Sequence, residues 1–302
     1  PPATTSSLVP CAAPRQLASR QPAPRALERN RRPMDDTLAR QLAALTRQFY
    51  ARTAPSFSAT RQQPWDGWEQ LWGRIAPLAE PHDLGRPLRV LDVGCGNLRF
   101  ERFLAQHAEG PVEAWGVDNC PALMAEGAAH AAAERGAAGR LAAHLVELDL
   151  AGALLDGAAP DALAARFGAP PADLAVAFGL FHHIPGAAAR QRLMQALVAA
   201  VRPGGIVAVS LWQFACDPRL RAKAQRATAR GRAQLGLPPL PAGDYLMGWQ
   251  DDADAFRYCH HFAEEEVDAL AAAAVAASPD ATRAPSDSKL DPTTASSASS
   301  AP

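Results

Sequence analysis

Residues 88–98, LRVLDVGCGNL, are the stretch that decides the fold of this chain. They begin with an apolar run of strand length, Gly94 and Gly96 follow at once, and residues 99–107 continue with the spacing of a helix. A strand, a tight glycine turn and a helix form the beginning of a βαβ unit. Because ligands of open α/β sheets lie beyond the carboxyl ends of the strands, this turn is the first candidate for a binding site.

The alternation of strand and helix patterns continues beyond this turn. Further strands are predicted at residues 112–117, 145–148, 173–178 and 206–212, and helices at 121–134 and 187–201. Helices of this length between strands indicate crossovers that join parallel strands. The predicted fold class is therefore α/β, with a doubly wound and mostly parallel sheet.

The composition excludes several classes of protein. The chain has 302 residues, of which 30 are basic and 31 acidic, and it contains no apolar run long enough to span a bilayer. No membrane partner is therefore expected. The five cysteines are scattered and form no CxxC pair, which argues against a disulfide framework or a zinc site and favours a reducing, cytoplasmic setting.

Both ends of the chain differ in composition from the middle. Residues 1–33 carry many arginines and few large apolar side chains, which predicts a disordered leader, with an organelle transit peptide as the alternative. Residues 277–302 are small and polar and are predicted to be a disordered tail. The functional domain is expected at 34–276, with residues 213–255 as an insertion or cap after the fifth strand.

Two nucleotide cofactors compete for the turn at Gly94. A dinucleotide fingerprint, G-x-G-x-x-G, would put Arg99 at its third glycine, where the side chain crowds a pyrophosphate. S-adenosylmethionine carries no phosphate, and its motif begins with an acid, which Asp92 supplies. The third glycine of that motif is Leu98 here. The turn therefore favours S-adenosylmethionine, with one departure from the pattern.

The ends of the next strands add further candidates for the cofactor site. Asp118 ends the second strand, where one carboxylate can accept hydrogen bonds from both ribose hydroxyls. Asp149 ends the third strand and is placed to meet the adenine amino group or the adjacent backbone. Asn119 and Phe178 complete the predicted set. This set resembles class I methyltransferases over residues 88–212, which implies a Rossmann-like fold and S-adenosylmethionine as the cofactor.

The segment upstream of this core has a more specific resemblance. Residues 50–65, YARTAPSFSATRQQPW, resemble the Y-x-x-x-A-P-x-F-S-x-T-R-x-x-P-W segment of wobble-uridine tRNA methyltransferases. Those enzymes esterify the carboxylate of 5-carboxymethyluridine in the anticodon loop. Shorter segments similar to motifs of that family lie downstream, at residues 181–184 (FHHI), 211–213 (LWQ), 243–249 (GDYLMGW) and 257–262 (RYCHHF).

The resemblance implies roles for individual residues. Tyr50 and Arg61 would close over the cofactor, and Arg61 would meet its carboxylate. The acceptor pocket would be lined by His182, Arg257, Tyr258 and His260. A tRNA partner and a small activating subunit, as in eukaryotic relatives, are also implied. Contact with tRNA phosphates is predicted for a basic cluster after the fifth strand, formed by Arg219, Arg221, Lys223, Arg226, Arg230 and Arg232.

The chemistry of the acceptor decides which catalytic groups are needed. A carboxylate is already ionised at neutral pH, so it needs an arginine to hold it and no general base. A phenol or an amine would need a base such as His182. Two alternatives to tRNA modification stay open, namely a small-molecule O- or N-methyltransferase of the same fold and a non-catalytic, methyltransferase-like partner protein.

The end of the domain departs from the class I pattern. Such folds ordinarily finish with two more strands, the last of them antiparallel beside strand five. After a predicted helix at 264–274 this chain offers only the polar tail. The final strands are therefore expected to be missing or truncated, which leaves strand five at the edge of the sheet.

Overall fold

The computed structural model describes residues 34–79, 86–138, 140–250 and 252–277. The predicted leader at 1–33 and the predicted tail after residue 277 lie outside the described residues. Within the described ranges, no helix combines the length and the apolar character that crossing a bilayer requires.

A five-stranded sheet forms the centre of the domain. Its strands are β1 (Leu88–Val93), β2 (Val112–Asp118), β3 (Leu141–Glu147), β4 (Ala172–Ala177) and β5 (Val201–Val209). They are arranged in the order β3-β2-β1-β4-β5, and every neighbouring pair is parallel. The predicted α/β class with a doubly wound parallel sheet is confirmed. The order reverses between β1 and β4, which is where sheets of this kind bind ligands.

The fifth strand differs from its predicted bounds. It begins at Val201 and ends at Val209, whereas residues 206–212 were expected. The pairing with β4 passes from Val201 directly to Ile206, so the intervening residues bulge out of the ladder. The buried carboxylate of Asp173 holds this bulge by accepting a hydrogen bond from Nε of Arg202. Among the described residues, no further strand joins β5 on its outer side.

Helices cover both faces of the sheet and continue beyond it. They are α1 (Asp36–Ala59), α2 (Asp66–Ala79), α3 (Arg99–His107), α4 (Pro121–Ala138), α5 (Leu150–Leu155), α6 (Pro160–Arg166), α7 (Ala187–Ala200), α8 (Pro218–Leu235) and α9 (Glu264–Ala277). Side-chain caps start several of them. The carboxylate of Asp35 accepts hydrogen bonds from the first N–H groups of α1, and Asp217 does the same for α8, where Pro218 occupies the first turn.

The core lies on both faces of the sheet, because successive strand residues point in opposite directions. On one face, Leu91 packs with residues of α5, α6, α7 and α9. On the other face, Val90 packs with α2 and α3, where Trp68 and Phe103 are buried. The inner strand β4 is accordingly buried at all six of its positions, which is typical of a parallel sheet covered on both sides.

A β-hairpin and α8 form the insertion after the fifth strand. The strands β6 (Asp244–Trp249) and β7 (Asp252–His260) are antiparallel and form a sheet of their own. The helix α1 packs on β7, and α8 packs on β6. The added layer thus reaches His260, whereas residues 213–255 were expected. Because six consecutive residues of β7 are buried, this strand lacks the alternation by which a hairpin is recognised.

Leu98 replaces a motif glycine and keeps the backbone shape that a glycine would give. Its φ is 54°, in the left-handed region that L-residues enter at a cost of roughly 1–2 kcal/mol. Its buried side chain fills the space between Gly116 on β2 and Gly127 on α4. A Cβ at Gly127 would lie 2.8 Å from Cγ of Leu98 and 2.9 Å from the carbonyl carbon of Asn97. The two glycines thus make room for the leucine.

This packing makes a prediction about alanine at two helical glycines. Gly127→Ala should lower the free energy of unfolding by about 1–3 kcal/mol, because the clash outweighs the better helix propensity of alanine. Gly73→Ala in α2 meets nothing within 4 Å and should raise it by about 0.5–1 kcal/mol. Urea unfolding followed by circular dichroism measures both. Equal effects of the two substitutions would contradict the packing described for Leu98.

Candidate functional site

A cleft that is open to solvent lies beyond the carboxyl ends of β1 to β4. The turns that follow these strands form its floor. The second half of α1 and the segment that leads to α2 form its roof. The predicted site residues that line it are Tyr50, Arg61, Asp92, Gly94, Gly96, Asp118, Asn119 and Phe178. The predicted cofactor set therefore converges on one cavity, with the exception of Asp149.

The glycine turn is tied to the end of the second strand. Gly94 and Gly96 have φ values of 87° and 53°, so both need the freedom of glycine. The carboxylate of Asp118 accepts hydrogen bonds of 2.9 Å from the N–H groups of Gly96 and Cys120. Burial raises the pKa of Asp118, and these N–H groups offset part of that rise. One carboxylate thus links the turns after β1 and β2 and faces the cleft.

The residues of this half of the cleft fit an adenosyl group. A Cβ on Gly96 would meet nothing within 4 Å, so the turn leaves open space where a ligand can approach the backbone. Apolar side chains next to Asp118 offer a slot for a purine ring, namely Val117, Leu123, Leu148 and Leu150. Oδ1 of Asp92 is buried and accepts no hydrogen bond of ordinary geometry from the residues that the structure describes, which suits a cationic group of the ligand.

Tyr50 joins the roof to the floor. Its hydroxyl lies 2.9 Å from Nε2 of His183, and Nδ1 of the same imidazole lies 2.6 Å from the carbonyl oxygen of Tyr258. Burial raises the pKa of Tyr50 to about 12, so the hydroxyl donates to Nε2. Burial, and next the charge of Arg257, lower the pKa of His183 to about 3. The imidazole is therefore neutral, with both nitrogens engaged.

Two guanidinium groups also line the cleft, those of Arg61 and Arg99. Arg61 stacks on the ring of Phe57 at 3.9 Å and donates to the hydroxyl of Thr60. Arg99 donates to the carbonyl of Gln63 at 2.9 Å and lies about 5 Å from the ring of Trp65. Burial lowers the pKa of Arg99 to about 10, which still leaves it charged. Within the described residues, neither guanidinium forms an ion pair with a carboxylate.

Asp149 does not line the cleft, so of its two predicted partners it meets the adjacent backbone and not adenine. Its carboxylate caps α5 by accepting a hydrogen bond from the N–H of Gly152, and it forms a 2.8 Å ion pair with Arg47. Leu148 and Leu150 on either side of it line the cavity instead. An acid after a strand can either face a ligand or begin the next helix, and here the helix begins directly after it.

Tyr258 and His260 also lie outside the cleft, contrary to their predicted place in the acceptor pocket. The hydroxyl of Tyr258 and Nδ1 of His260 both contact Oδ1 of Asp244, at 2.7 and 2.6 Å. Nε2 of His260 contacts Glu266 at 3.1 Å. These buried groups join the hairpin to α9. They satisfy one another's hydrogen bonds, so they form a structural network and leave no free group for an acceptor.

His182 and Arg257 lie one layer behind the cleft wall. The ring of His182 is buried against Trp212 at 5.1 Å, and His183 next to it faces the cavity instead. The buried guanidinium of Arg257 lies 4.7 Å from the ring of Phe49, and its Nε and Nη1 find no hydrogen-bond partner among the residues that the structure describes. Its charge acts on Tyr50 and His183 from behind. Neither predicted residue lines the cavity.

The lining includes residues that sequence analysis did not assign to the site, chiefly His183, Trp65 and Asn97. His183 and His182 are adjacent in a short 3₁₀ turn, and the sequence carries no signal for which of them faces inward. Trp65 follows a motif proline and is 37% exposed at the mouth of the cleft. Asn97 lies within the glycine motif, so its place in the turn was a sequence signal from which its role in the lining could have been predicted.

A parallel sheet with this strand order, a glycine turn and an acid after β2 defines an α/β protein that binds an adenosyl cofactor at the β1 end. A family model described as a methyltransferase domain matches residues 36–274. The chain therefore belongs to the methyltransferase domain family. Its cofactor is S-adenosylmethionine, which donates an electrophilic methyl group from a sulfonium.

Curated relatives match a short part of the chain. Over 59 residues it is 39% identical to the mitochondrial citrate synthase-lysine N-methyltransferase CSKMT of Pongo abelii, and the match covers 20% of this chain and 25% of that protein. The Homo sapiens protein of the same name is 37% identical over 59 residues, with the same coverage. The chain thus spans about a quarter of the length of these curated relatives.

Solved structures with related architecture include two methyltransferases. A SAM-dependent methyltransferase from Methanosarcina mazei is 17% identical, with a TM-score of 0.44, and the match covers 62% of this chain and 78% of that one. Magnesium protoporphyrin IX methyltransferase from Synechocystis, solved with bound SAH, is 13% identical, with a TM-score of 0.42 and coverage of 75% and 86%.

Asp118, at the end of β2, and Asp149, just after β3, should differ in their effect on cofactor binding. Asp118→Asn should weaken S-adenosylmethionine binding about 10- to 100-fold, because it removes a charge-assisted acceptor worth roughly 1.5–3 kcal/mol. Asp149→Asn is the matched control and should change the dissociation constant by less than about twofold, because its carboxylate faces Arg47. Isothermal titration calorimetry measures both, and the reverse ranking would contradict the assigned site.

The network around His260 should make stability depend on pH in two directions. Burial lowers the pKa of His260, but hydrogen bonds to Asp244 and Glu266 outweigh it and raise the pKa above its ordinary value. Its contribution is therefore complete below about pH 6.5 and is lost as the pH rises through the raised value. Burial raises the pKa of Glu266, but its hydrogen bond and attraction to His260 lower it to about 2. That contribution is complete above about pH 4.5 and is lost towards pH 2.

Urea unfolding at a series of pH values checks this expectation. The free energy of unfolding that His260 and Glu266 contribute should be greatest between about pH 4.5 and 6.5. His260→Gln should flatten the curve on the alkaline side of that window. If the wild type and this variant give parallel curves, the network does not titrate as described.

Proposed function

We propose that the protein methylates a carboxylate oxygen at the expense of S-adenosylmethionine, and that its acceptor is the 5-carboxymethyl group of a wobble uridine in tRNA. The chemistry of the cleft supports the first part, and the motifs at residues 50–65 and 257–262 support the second. The observation that carries the proposal is the pair Arg61 and Arg99 in the lining of the cleft, without a carboxylate partner among the described residues. The resemblance gives Arg61 to the carboxylate of the cofactor, which leaves Arg99 for the acceptor.

The charge of the cleft favours an anionic acceptor. Arg61 and Arg99 attract a carboxylate, and a guanidinium can hold it through two parallel hydrogen bonds. A lysine side chain, which the curated relatives methylate according to their name, would be repelled as an ammonium ion. It would also need a base, and the imidazole of His183 already uses both nitrogens. A carboxylate is ionised at neutral pH, so no residue has to take up a proton.

The other contribution of this chain is to align the methyl donor with the acceptor. Methyl transfer from a sulfonium is an in-line displacement, and holding two reactants in line can supply roughly 7–11 kcal/mol of the barrier reduction. The bond between Tyr50 and His183 fixes the roof over the floor, while Phe57 and Trp65 reduce access of water to the cleft. Sparse catalytic machinery of this kind is sufficient for an acceptor that arrives already charged.

A small carboxylic acid is the second candidate acceptor. The basic cluster on α8 is largely exposed, which would suit phosphate contacts, but no residue of α8 lines the cleft. One member, Arg232, donates to the carbonyl of Pro238 and so fixes the end of its own helix. A protein that needed only the cleft could act on a small acid, with α8 as a packing element.

Mass spectrometry of nucleosides separates these acceptors. Total tRNA is isolated from cells that lack the gene and from the same cells complemented with wild type, Arg99→Gln or Arg52→Gln. Arg52→Gln is the control, because Arg52 pairs with Asp252 outside the cleft. Wild type and control should restore the methyl ester of 5-carboxymethyluridine. Arg99→Gln should restore the methyl ester to about one tenth of the wild-type level or below. The reason is that one charged hydrogen bond is worth roughly 1.5–3 kcal/mol.

If the four strains contain the same amount of the methyl ester in their tRNA, tRNA is refuted as the acceptor. The carboxylate proposal is then decided by incubating the protein with methyl-labelled S-adenosylmethionine and a cell extract freed of RNA. Methyl esters release labelled methanol in mild base, whereas methylamines keep the label. Label that base does not release would refute carboxylate methylation and favour an amine acceptor.

A further inference from the structure

Two carboxyl groups meet beneath the glycine turn. Asp92 ends β1 and lines the cleft, and Glu101 lies in the first turn of α3 with no exposed surface. The two side chains are within hydrogen-bonding reach of each other. Oδ1 of Asp92 and both carboxyl oxygens of Glu101 are buried without a hydrogen-bond partner of ordinary geometry in the described residues. Carboxyl groups this close can bond only if they share a proton.

The surroundings keep that proton in place. Burial raises the pKa of Glu101 to about 7 and, together with the neighbouring Glu101 charge, raises the pKa of Asp92 well above its ordinary range. Asp118 faces the pair from β2 and carries charge of the same sign, so it raises the pKa of Asp92 further. The thiol of Cys95, in the turn itself, stays protonated because burial raises its pKa. The pair therefore holds a proton at and below neutrality.

We infer that Asp92 and Glu101 form a shared-proton pair that releases its proton to solvent when the cationic methionine end of S-adenosylmethionine enters the cleft. The inference rests on the identity of the cofactor and not on the proposed acceptor. Asp92 meets the cleft directly, so its carboxylate would face the incoming positive charge. Glu101 contacts Asp92 and does not line the cavity, so it is a positioning residue that sets when Asp92 is ionised.

The pair makes cofactor affinity depend on pH. A cation favours the ionised form of a neighbouring carboxyl group, so binding and proton release are linked. Over the pH range in which the pair holds its proton, the ligand has to displace that proton, and its affinity should fall up to tenfold for each unit by which the pH is lowered. A neutral nucleoside offers no charge to the pair and should bind with an affinity that does not depend on pH in this range.

Calorimetry in buffers of different ionisation enthalpy counts the protons released. At about pH 6.5 α-amino groups are charged, and binding of S-adenosylmethionine should release roughly 0.5–1 proton per site from the protein. The neutral nucleoside 5′-methylthioadenosine should release none. Glu101→Gln keeps the shape of the side chain and can still donate to Asp92, and it should reduce the release towards zero. The matched control Glu113→Gln removes a carboxylate from β2 that pairs with Arg89 and should leave the release unchanged.

Three results would overturn the inference. The first is a wild-type binding enthalpy that does not vary with the buffer. The second is equal proton release by the cofactor and the neutral nucleoside. The third is undiminished release in Glu101→Gln, which would put the proton on another group. If Glu101→Gln does not fold, the comparison of the two ligands on the wild type still decides. The nucleoside experiment on tRNA does not depend on any of these results.

Discussion

The carboxylate of Asp118 is the constraint on which the rest of the site depends. It accepts one hydrogen bond from Gly96, after β1, and one from Cys120, before α4, so it holds two βα turns at a fixed spacing. That spacing leaves Gly96 open to the cleft. It also keeps the left-handed Leu98 over Gly127, where no larger residue fits. Cofactor site and core packing are therefore parts of one arrangement.

Charge of both signs lines the cleft. Asp92 and Asp118 lie next to the glycine turn, at the ends of β1 and β2. The guanidiniums of Arg61 and Arg99 line the same cleft, and neither forms an ion pair with a carboxylate of the described residues. A guanidinium attracts an anion and repels an ammonium ion. These two side chains lead us to favour an anionic acceptor over an ammonium ion.

The parts of the fold and site that sequence predicted well depend on local pattern. The strand, turn and helix around Gly94 follow from apolar runs and glycine spacing, and so does the place of Asp118. The roles of Tyr258 and His260 could not be predicted, because they depend on Asp244, which only the pairing of β6 with β7 brings to them. The predicted place of Asp149 in the cofactor site was wrong for a local reason, since helix capping competes with ligand binding for the same position.

We expect the glycine turn and Asp118 to hold the cofactor beneath the roof of Tyr50 and Phe57. A crystal structure of the full chain grown with S-adenosylhomocysteine would show whether they do. Electron density should lie along Gly94 and Gly96, with both ribose hydroxyls within hydrogen-bonding distance of the Asp118 carboxylate. Density for the nucleoside elsewhere on the protein, with Asp118 bound only to its backbone partners, would contradict this expectation.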